Sequence, residues 1–124
     1  MKFVGNKLLL KQGETFNFSG AVLNKRSATP IETLGLTVRS QIRRCNAERD
    51  LIADLECAWL DPAAAVVSIH YSGDSASWPP GNALWDVQLI DQSGQVRITD
   101  SVELVIERHV TRNAAEGGHG TPGL

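Results

Sequence analysis

The sequence predicts an all-β protein: an antiparallel β-sandwich of about seven short strands, followed by a flexible C-terminal tail. Several short segments alternate apolar and polar residues, which is the pattern of a strand that buries one face. Turn-forming residues separate these segments at intervals of roughly 8–12 residues, as in sandwiches. The clearest segment is 81–96, in which Trp85, Val87 and Leu89 share one face before a tight turn at 91–94.

The composition indicates a single globular domain. The chain has 124 residues, of which 42% are hydrophobic and 21% charged, enough for one two-sheet core. A net charge of −2 argues against a nucleic-acid partner, because such proteins carry a basic excess on one face. No apolar run approaches the ~20 residues of a membrane span, so no membrane partner is expected.

The two cysteines, Cys45 and Cys57, are expected to be thiols. The segment after Met1 lacks the apolar core and cleavage site of a signal peptide, so synthesis in a reducing cytoplasm is expected. Cys57 also falls within an apolar alternation, which predicts a small core residue at that position.

The first part of the chain predicts two short strands before a turn-rich loop. A strand over 7–10 ends at a polar turn, and a second over 15–23 places Phe16 and Phe18 on one face. Gly20, in the middle of the second strand, indicates a bulge or a close backbone approach.

Two longer strands follow the loop. Residues 36–43 give the cleanest one-face pattern, with Arg39 and Arg43 on the outward face. Residues 51–59 also alternate with period two, although the Ala, Glu and Leu content of 46–60 leaves a helix as the alternative. We prefer the strand because the alternation is continuous.

The remaining predicted elements are a strand over 66–71, a loop over 73–81, and a second hairpin arm over 95–107 with a bend at Asp100. One helical turn capped by Asp74 or Ser75 fits in the loop before the prolines stop it. We expect the apolar faces of the strands to meet in one core: Phe16, Phe18, Val38, Ile42, Trp85, Val87 and Leu89.

The composition changes after Thr111, which predicts a sandwich domain at 1–111 and a Gly/Pro-rich tail at 112–124. Such a segment buries too little apolar surface to become ordered alone. We therefore expect another chain to hold it, with Leu124 as the apolar anchor.

No motif for catalysis, cofactor binding or metal binding is recognisable, so an enzyme is not expected. His70, His109 and His119 lack further ligands at zinc spacing, and no nucleophile, phosphate-loop or dinucleotide motif occurs. The acidic residues available for a glycosidase pair fall in turns or on outward strand faces: Asp54, Glu56, Asp61, Asp86 and Asp91. Trp78, beside two prolines, is the tryptophan expected to be exposed, which leaves a carbohydrate-binding module as an alternative.

Several short motifs follow one another along the chain: a Gln-Gly turn before an apolar strand (11–18), a proline-bearing loop into an arginine-bearing strand (29–43), a Ser/Ala-rich turn (74–81), Trp-Asp-Val-Gln-Leu with its turn (85–94), and Val-Thr-Arg (110–112). In this order they resemble a family of small bacteriophage and prophage virion proteins, related to the N-terminal domain of phage upper-baseplate proteins. Two departures are tryptophan at position 85, where tyrosine is more usual, and no apolar-Gly pair around 99–101.

The resemblance implies an immunoglobulin-like sandwich with a structural, non-enzymatic role in the virion, made in the host cytoplasm. On this interpretation the protein is a multi-copy component of the tail, baseplate or fibre attachment region. It would dock on other virion proteins and on copies of itself through strand edges, loops and its tail. A capsid decoration protein is the alternative within the virion. Partner contacts are expected at Arg39, Arg43, Trp78, Arg112, His119 and Leu124.

Overall fold

A computed structural model describes residues 1–109 of the chain. They form nine β-strands: β1 (Lys2–Val4), β2 (Lys7–Lys11), β3 (Asn17–Ala21), β4 (Thr37–Arg44), β5 (Leu51–Asp61), β6 (Val66–His70), β7 (Gly81–Ile90), β8 (Val96–Ile98) and β9 (Val102–Glu107). Two single-turn 3-10 helices, Pro62–Ala64 and Ser75–Ser77, lie in the connections. The all-β prediction is confirmed. No helix in this part of the chain is long and apolar enough to cross a membrane.

The strands form one sheet that curls back on itself into two layers. Hydrogen bonding follows the order β1-β2-β9-β7-β4-β5-β6-β3, and β8 pairs with β7 beside β9. The first part of β5 pairs with β4 and the second part with β6, so this strand passes from one layer to the other. The described pairs are antiparallel except for β2 with β9, which run parallel. The sandwich is therefore closed on one side by β5. The other side, here called the open side, has the edge strands β1, β3 and β8.

The core lies between the two layers. Six of the seven predicted core residues meet there: Phe16, Ile42 and Trp85 are buried, and Phe18, Val38 and Val87 are half-buried and packed against them. Leu89 is also buried, as predicted, but lies outside this cluster. Further buried residues of the core come mainly from β2, β5, β6, β7 and β9: Leu8, Leu10, Ala53, Leu55, Val67, Ile69, Trp78, Ala83, Leu104 and Ile106. The strands that line the core contribute every second residue, because successive side chains of a strand point to opposite faces.

The strand number differs from the prediction in two places. β1 has only three residues, all of them exposed, so no apolar–polar alternation in the sequence predicts it. The second hairpin arm divides into β8 and β9, and the bend predicted at Asp100 lies between them. The segment predicted as strand or helix is the strand β5, so the helical alternative is wrong.

Two local predictions are confirmed and one lies outside the described residues. Asp74 caps the turn Ser75–Ser77, because its carboxylate accepts the backbone N–H of Ala76 at 2.9 Å. Both cysteines are free thiols, Cys45 exposed and Cys57 half-buried. The predicted domain boundary after Thr111 and the tail that follows it lie beyond the part of the chain that the structure describes.

Candidate functional site

An apolar hollow lies between the two layers at the open side, and we call it the seam groove. It encloses about 380 Å³. Its floor comes from β6 and β7, one rim from β3 and the loop after it, and the other rim from β1, β9 and the β8–β9 connection. The residues concerned are Val67, Ile69, Trp85 and Val87 for the floor, then Phe18, Gly20, Val22 and Leu23, and opposite them Phe3, Thr99, Asp100 and Val102. Ala21, Lys25 and Asp86 also line the groove.

Trp85 is the most firmly held part of the floor. Its ring meets Phe16 and Phe18 edge-on, with centroids 5.2 Å and 5.1 Å away. Its indole N–H donates to the Ser40 hydroxyl at 2.7 Å, and that hydroxyl donates to the Asp86 carbonyl at 2.7 Å. The ring therefore has packing partners and a satisfied N–H, which fix the shape of the floor.

The seam groove opens where β7 changes its partner strand. β9 pairs with the first half of β7 and β8 with its last three residues, which leaves a gap beside Asp86 and Val87. Thr99 bridges this gap: its hydroxyl accepts the Val87 N–H at 3.0 Å, and its own N–H donates to the Val87 carbonyl at 2.9 Å. The backbone groups of Val87 are thus satisfied without a continuous neighbouring strand.

A second hollow, here called the loop hollow, continues the seam groove. It encloses about 700 Å³ between the loop after β3 and β8. The two hollows share Val22, Leu23, Lys25 and Thr99 in their walls. Large apolar side chains stand exposed around the loop hollow: Leu34 is 88% exposed and Ile98 60% exposed. The open side therefore presents an apolar groove that continues into a hollow of mixed character, where these apolar side chains stand among the charged residues Lys25, Glu32, Asp91 and Arg97.

An ion pair spans the two rims at the point where the hollows meet. Lys25 Nζ, from the loop after β3, lies 3.0 Å from a carboxylate oxygen of Asp100, from the β8–β9 connection. Both side chains are exposed, and exposed pairs contribute little stability. The pair can therefore open without a large cost when another molecule approaches.

Arg39 and Arg43 lie on the outward face of β4, as predicted. The Arg43 guanidinium donates to the Gln41 side-chain oxygen at 3.1 Å and 2.9 Å, and to the Arg49 carbonyl at 2.8 Å. Arg39 lies 3.9 Å from the Asp54 carboxylate, which also accepts the Gln41 amide at 2.6 Å. Both arginines therefore bond to residues of the same outward face, and this face lies on the opposite side of the layer from the seam groove.

Asp86 borders a small polar hollow of about 310 Å³ on this outward face, together with Arg43. Burial raises the pKa of the Asp86 carboxyl above its ordinary value, and the positive charge of Arg43 lowers it in part. The half-buried carboxyl lies at the gap in the layer and shares this polar hollow with Arg43, one of the two arginines predicted to contact a partner.

Trp78 is not exposed, and the expectation of an exposed ring there is wrong. It is only 3% exposed, and its ring packs against Phe16 and Tyr71 with centroids 6.3 Å and 5.0 Å away. The turn before it is fixed because the Ser75 hydroxyl donates to the Glu14 carbonyl at 2.7 Å. This bond draws the turn onto the chain before β3 and directs Trp78 into the core.

The other acidic and histidine candidates are engaged in separate local contacts. His70 Nε2 lies 3.0 Å from a carboxylate oxygen of Glu56 on the neighbouring strand. Asp61 caps the first 3-10 helix, and Asp91 organises the turn at 91–94. Within residues 1–109, no three His, Cys, Asp or Glu side chains come together as a metal site would require.

Three predicted contact residues, Arg112, His119 and Leu124, lie outside the described residues, so their role stays a prediction. Sequence reasoning missed the exposed apolar residues of the loop hollow, Leu34 and Ile98. The available signal was the apolar content of the loop between β3 and β4, which a solvent-exposed turn does not need.

No protein-family model matches the chain, and no curated protein matches it. Among solved structures, the fold is similar to the crystal structure of CopC from Methylosinus trichosporium OB3b. The identity is 9% and the TM-score 0.46, over 86% of this chain and 89% of that one. A similarity of this size carries no conclusion about function.

Proposed function

We propose that this protein is a structural docking protein that binds other proteins through the open side of its sandwich. The observation that carries the proposal is the apolar seam groove together with Leu34 and Ile98, which stand exposed at the loop hollow that continues it. Soluble monomers rarely expose an extended apolar surface unless it takes part in binding.

A protein partner fits the open side better than a small ligand does. Small-ligand sites combine an apolar hollow with a few polar groups that orient the ligand. At the seam groove, two of the polar contacts are already made within the protein: Thr99 with Val87, and Lys25 with Asp100. A protein surface laid across the open side would instead remove Leu34 and Ile98 from water, a gain of about 25 cal/mol per Å² of apolar area.

The carbohydrate-binding alternative loses its main support. That function needs an exposed aromatic platform for the sugar ring, and the candidate platform was Trp78. Because Trp78 is buried, no predicted feature of the chain supports sugar recognition any longer.

We propose further that the assembly is a bacteriophage virion, in which several copies occupy the tail, baseplate or fibre attachment region. The support is the ordered series of sequence motifs between residues 11 and 112. A sandwich with free strand edges suits such a role, because its edges offer unpaired backbone groups to neighbouring chains. A capsid decoration protein would use the same surface against different neighbours.

The docking role is tested by adding charge to the open side. The double variant Leu34→Asp/Ile98→Asp should lower incorporation into purified particles at least about tenfold, because a buried unpaired carboxylate opposes docking. Leu60→Asp is the matched control, since Leu60 is 66% exposed on β5 and lines neither hollow. Equal melting temperatures would show that the variants fold. Equal incorporation of all variants would contradict the docking role.

The virion assignment has its own test. Quantitative mass spectrometry of purified phage particles should find this chain at a constant ratio to the tail proteins. A constant ratio to the head protein in tailless particles would favour the decoration alternative. Absence of the chain from purified particles would contradict both virion proposals and leave the docking role to be judged on its own variants.

A further inference from the structure

The three edge strands of the open side differ in how their free edges are protected. β1 and β8 have three residues each and contain a charged residue, Lys2 and Arg97 respectively. β3 has five residues, and the stretch 15–24 around it contains no charged residue and no proline. Natural edge strands are usually protected by shortness, charge or proline. β3 has the least protection of the three.

The hydrogen bonds that flank β3 show which backbone groups it leaves free. Tyr71 N–H donates to the Phe16 carbonyl at 3.1 Å, and Val22 N–H donates to the Ala65 carbonyl at 2.9 Å. Residues bonded to a neighbouring antiparallel strand alternate with residues that face away. The N–H and C=O groups that point away from β6 therefore belong to the odd-numbered residues of the strand: Asn17, Ser19 and Ala21. No described strand pairs with this edge.

We propose that β3 pairs antiparallel with β3 of a second copy of this chain, joining two sandwiches through one continuous sheet. One register uses all three outward-facing residues of both strands. It places Ser19 opposite Ser19 and Asn17 opposite Ala21. The arrangement is a two-fold, self-complementary interface, the commonest symmetry of protein oligomers.

The side chains of β3 suit this register on both faces. On the outer face, Asn17, Ser19 and Ala21 are exposed, small and uncharged, so neither bulk nor like charge opposes pairing. On the inner face, Phe18 comes opposite Gly20 of the second copy, so the two Phe18 rings lie diagonally across the pair. Phe18 already covers Gly20 of its own strand, since a Cβ there would lie 2.7 Å from the ring atom Cζ. Each ring stays over the glycine of its own strand, and the pairing would bring the two rings within reach of each other.

This inference rests on the proposed docking function, because it names a second copy of the chain as one partner of the open side. Self-pairing differs from the proposed docking in the atoms that make the contact. The proposed function depends on the exposed apolar side chains of the hollows, whereas self-pairing depends on the backbone edge of β3. Variants of the two surfaces therefore separate the two claims.

The first test is sedimentation of the purified full chain over a range of concentrations. The wild type should show a monomer–dimer equilibrium, and Ser19→Lys should raise its dissociation constant by about tenfold or more, because two like charges then lie opposite each other. Ala58→Lys is the matched control. Ala58 pairs with Ser68, which pairs with Ser19, so it lies at the same level of the same exposed face but away from the edge.

The second test fixes the register. In a Cys45→Ser background, Ser19→Cys should give a covalent dimer on mild oxidation. Directly opposite residues of this pair type have Cα atoms about 5.5 Å apart, within the range of a disulfide. Ala58→Cys in the same background should give little covalent dimer. Circular dichroism and melting curves confirm that each variant is folded.

Each outcome decides between the claims. A concentration-dependent dimer weakened by Ser19→Lys and trapped by Ser19→Cys supports self-pairing. A wild type that stays monomeric at every concentration, or a dimer equally sensitive to Ala58→Lys, overturns it. If Ser19→Lys is neutral while Leu34→Asp/Ile98→Asp loses incorporation into particles, self-pairing fails and the docking function stands.

Discussion

The indole N–H of Trp85 and the hydroxyl of Ser40 form a buried hydrogen bond of 2.7 Å that joins β7 to β4 beneath the seam groove. Ser40 is itself only 1% exposed, and its hydroxyl proton goes to the Asp86 carbonyl. One hydroxyl thus satisfies a side-chain donor and a backbone acceptor, so a polar residue is accommodated in an otherwise apolar layer of the core.

Replacing Ser40 by Ala should lower the free energy of unfolding by about 1–3 kcal/mol, because the buried Trp85 N–H loses its acceptor. The measurement is urea denaturation followed by tryptophan fluorescence. In a Trp85→Phe background, the same Ser40→Ala change should lower the free energy of unfolding clearly less, since no indole N–H is left without an acceptor. The same cost in both backgrounds would mean that the bond contributes nothing.

Replacing Trp85 by Ala should cost about 3–5 kcal/mol, the usual range for truncating a buried aromatic side chain. The change removes the floor of the seam groove and two ring contacts, with Phe16 and Phe18. Leu60→Ala, at an exposed position, should stay within about 0.5 kcal/mol of the wild type. A loss below about 1 kcal/mol for Trp85→Ala would be inconsistent with its role in the core.

The two thiols should react at different rates. Burial raises the pKa of Cys57 to about 11, so at pH 8 only about one molecule in a thousand carries the thiolate. Cys45 is exposed. Mass spectrometry during iodoacetamide treatment should therefore show modification of Cys45 well before Cys57. Cys45→Ser should leave a protein that labels quickly only after denaturation. Equal labelling of both thiols in the folded protein would refute the assignment.

The hairpin turn at 91–94 should weaken in acid. The Asp91 carboxylate accepts the Ser93 hydroxyl at 2.6 Å and the backbone N–H groups of Ser93 and Gln95 at 2.9 Å, which lowers its pKa. A group whose pKa is lower in the folded state stabilises it above the unfolded-state pKa, about 3.9 for Asp. That contribution is lost as the pH falls through the folded-state pKa. A nuclear magnetic resonance titration should give a midpoint below 3.9, and Asp91→Asn should remove this part of the acid dependence. A midpoint at or above that value would contradict the turn geometry.

Truncation after Thr111 should leave the melting temperature of the isolated domain nearly unchanged and reduce incorporation into particles. The physical reason is that the Gly/Pro-rich sequence of 112–124 offers few apolar groups to offset its ordering cost of about 1–2 kcal/mol per residue. Calorimetry and particle composition measure the two effects. A marked fall in the melting temperature would mean that the segment packs on its own sandwich.

The strands were predictable because their signal is local. The alternation in β4 and β7 identifies both the strand and its buried face, and Val38, Ile42 and Leu89 lie where that alternation puts them. The order and direction of the strands have no such local signal. The parallel pairing of β2 with β9 depends on contacts that only the complete sheet provides.

The open side was not predictable for the same reason. Leu23 and Leu34 come from the two ends of the loop between β3 and β4, Ile98 comes from the edge strand β8, and only the curl of the sheet brings them together. For Trp78, the sequence predicted exposure and the structure shows burial. Its neighbouring prolines suggest a surface loop, but the distant bond between Ser75 and Glu14 turns the residue inward. Contacts between distant segments decided both positions.

The parallel pairing of β2 with β9 also has a consequence for how the chain folds. Leu8 lies beside Leu104, so β2 cannot find this neighbour until β9, the last described strand of the sandwich, has been synthesised. Until then, β1 and β2 have only each other, and a lone two-stranded hairpin is barely stable in water. Chains dominated by such long-range pairings fold slowly, on a scale of about milliseconds to seconds. We therefore expect the sandwich to form only after synthesis has passed residue 107, in one late step that closes its beginning onto its end.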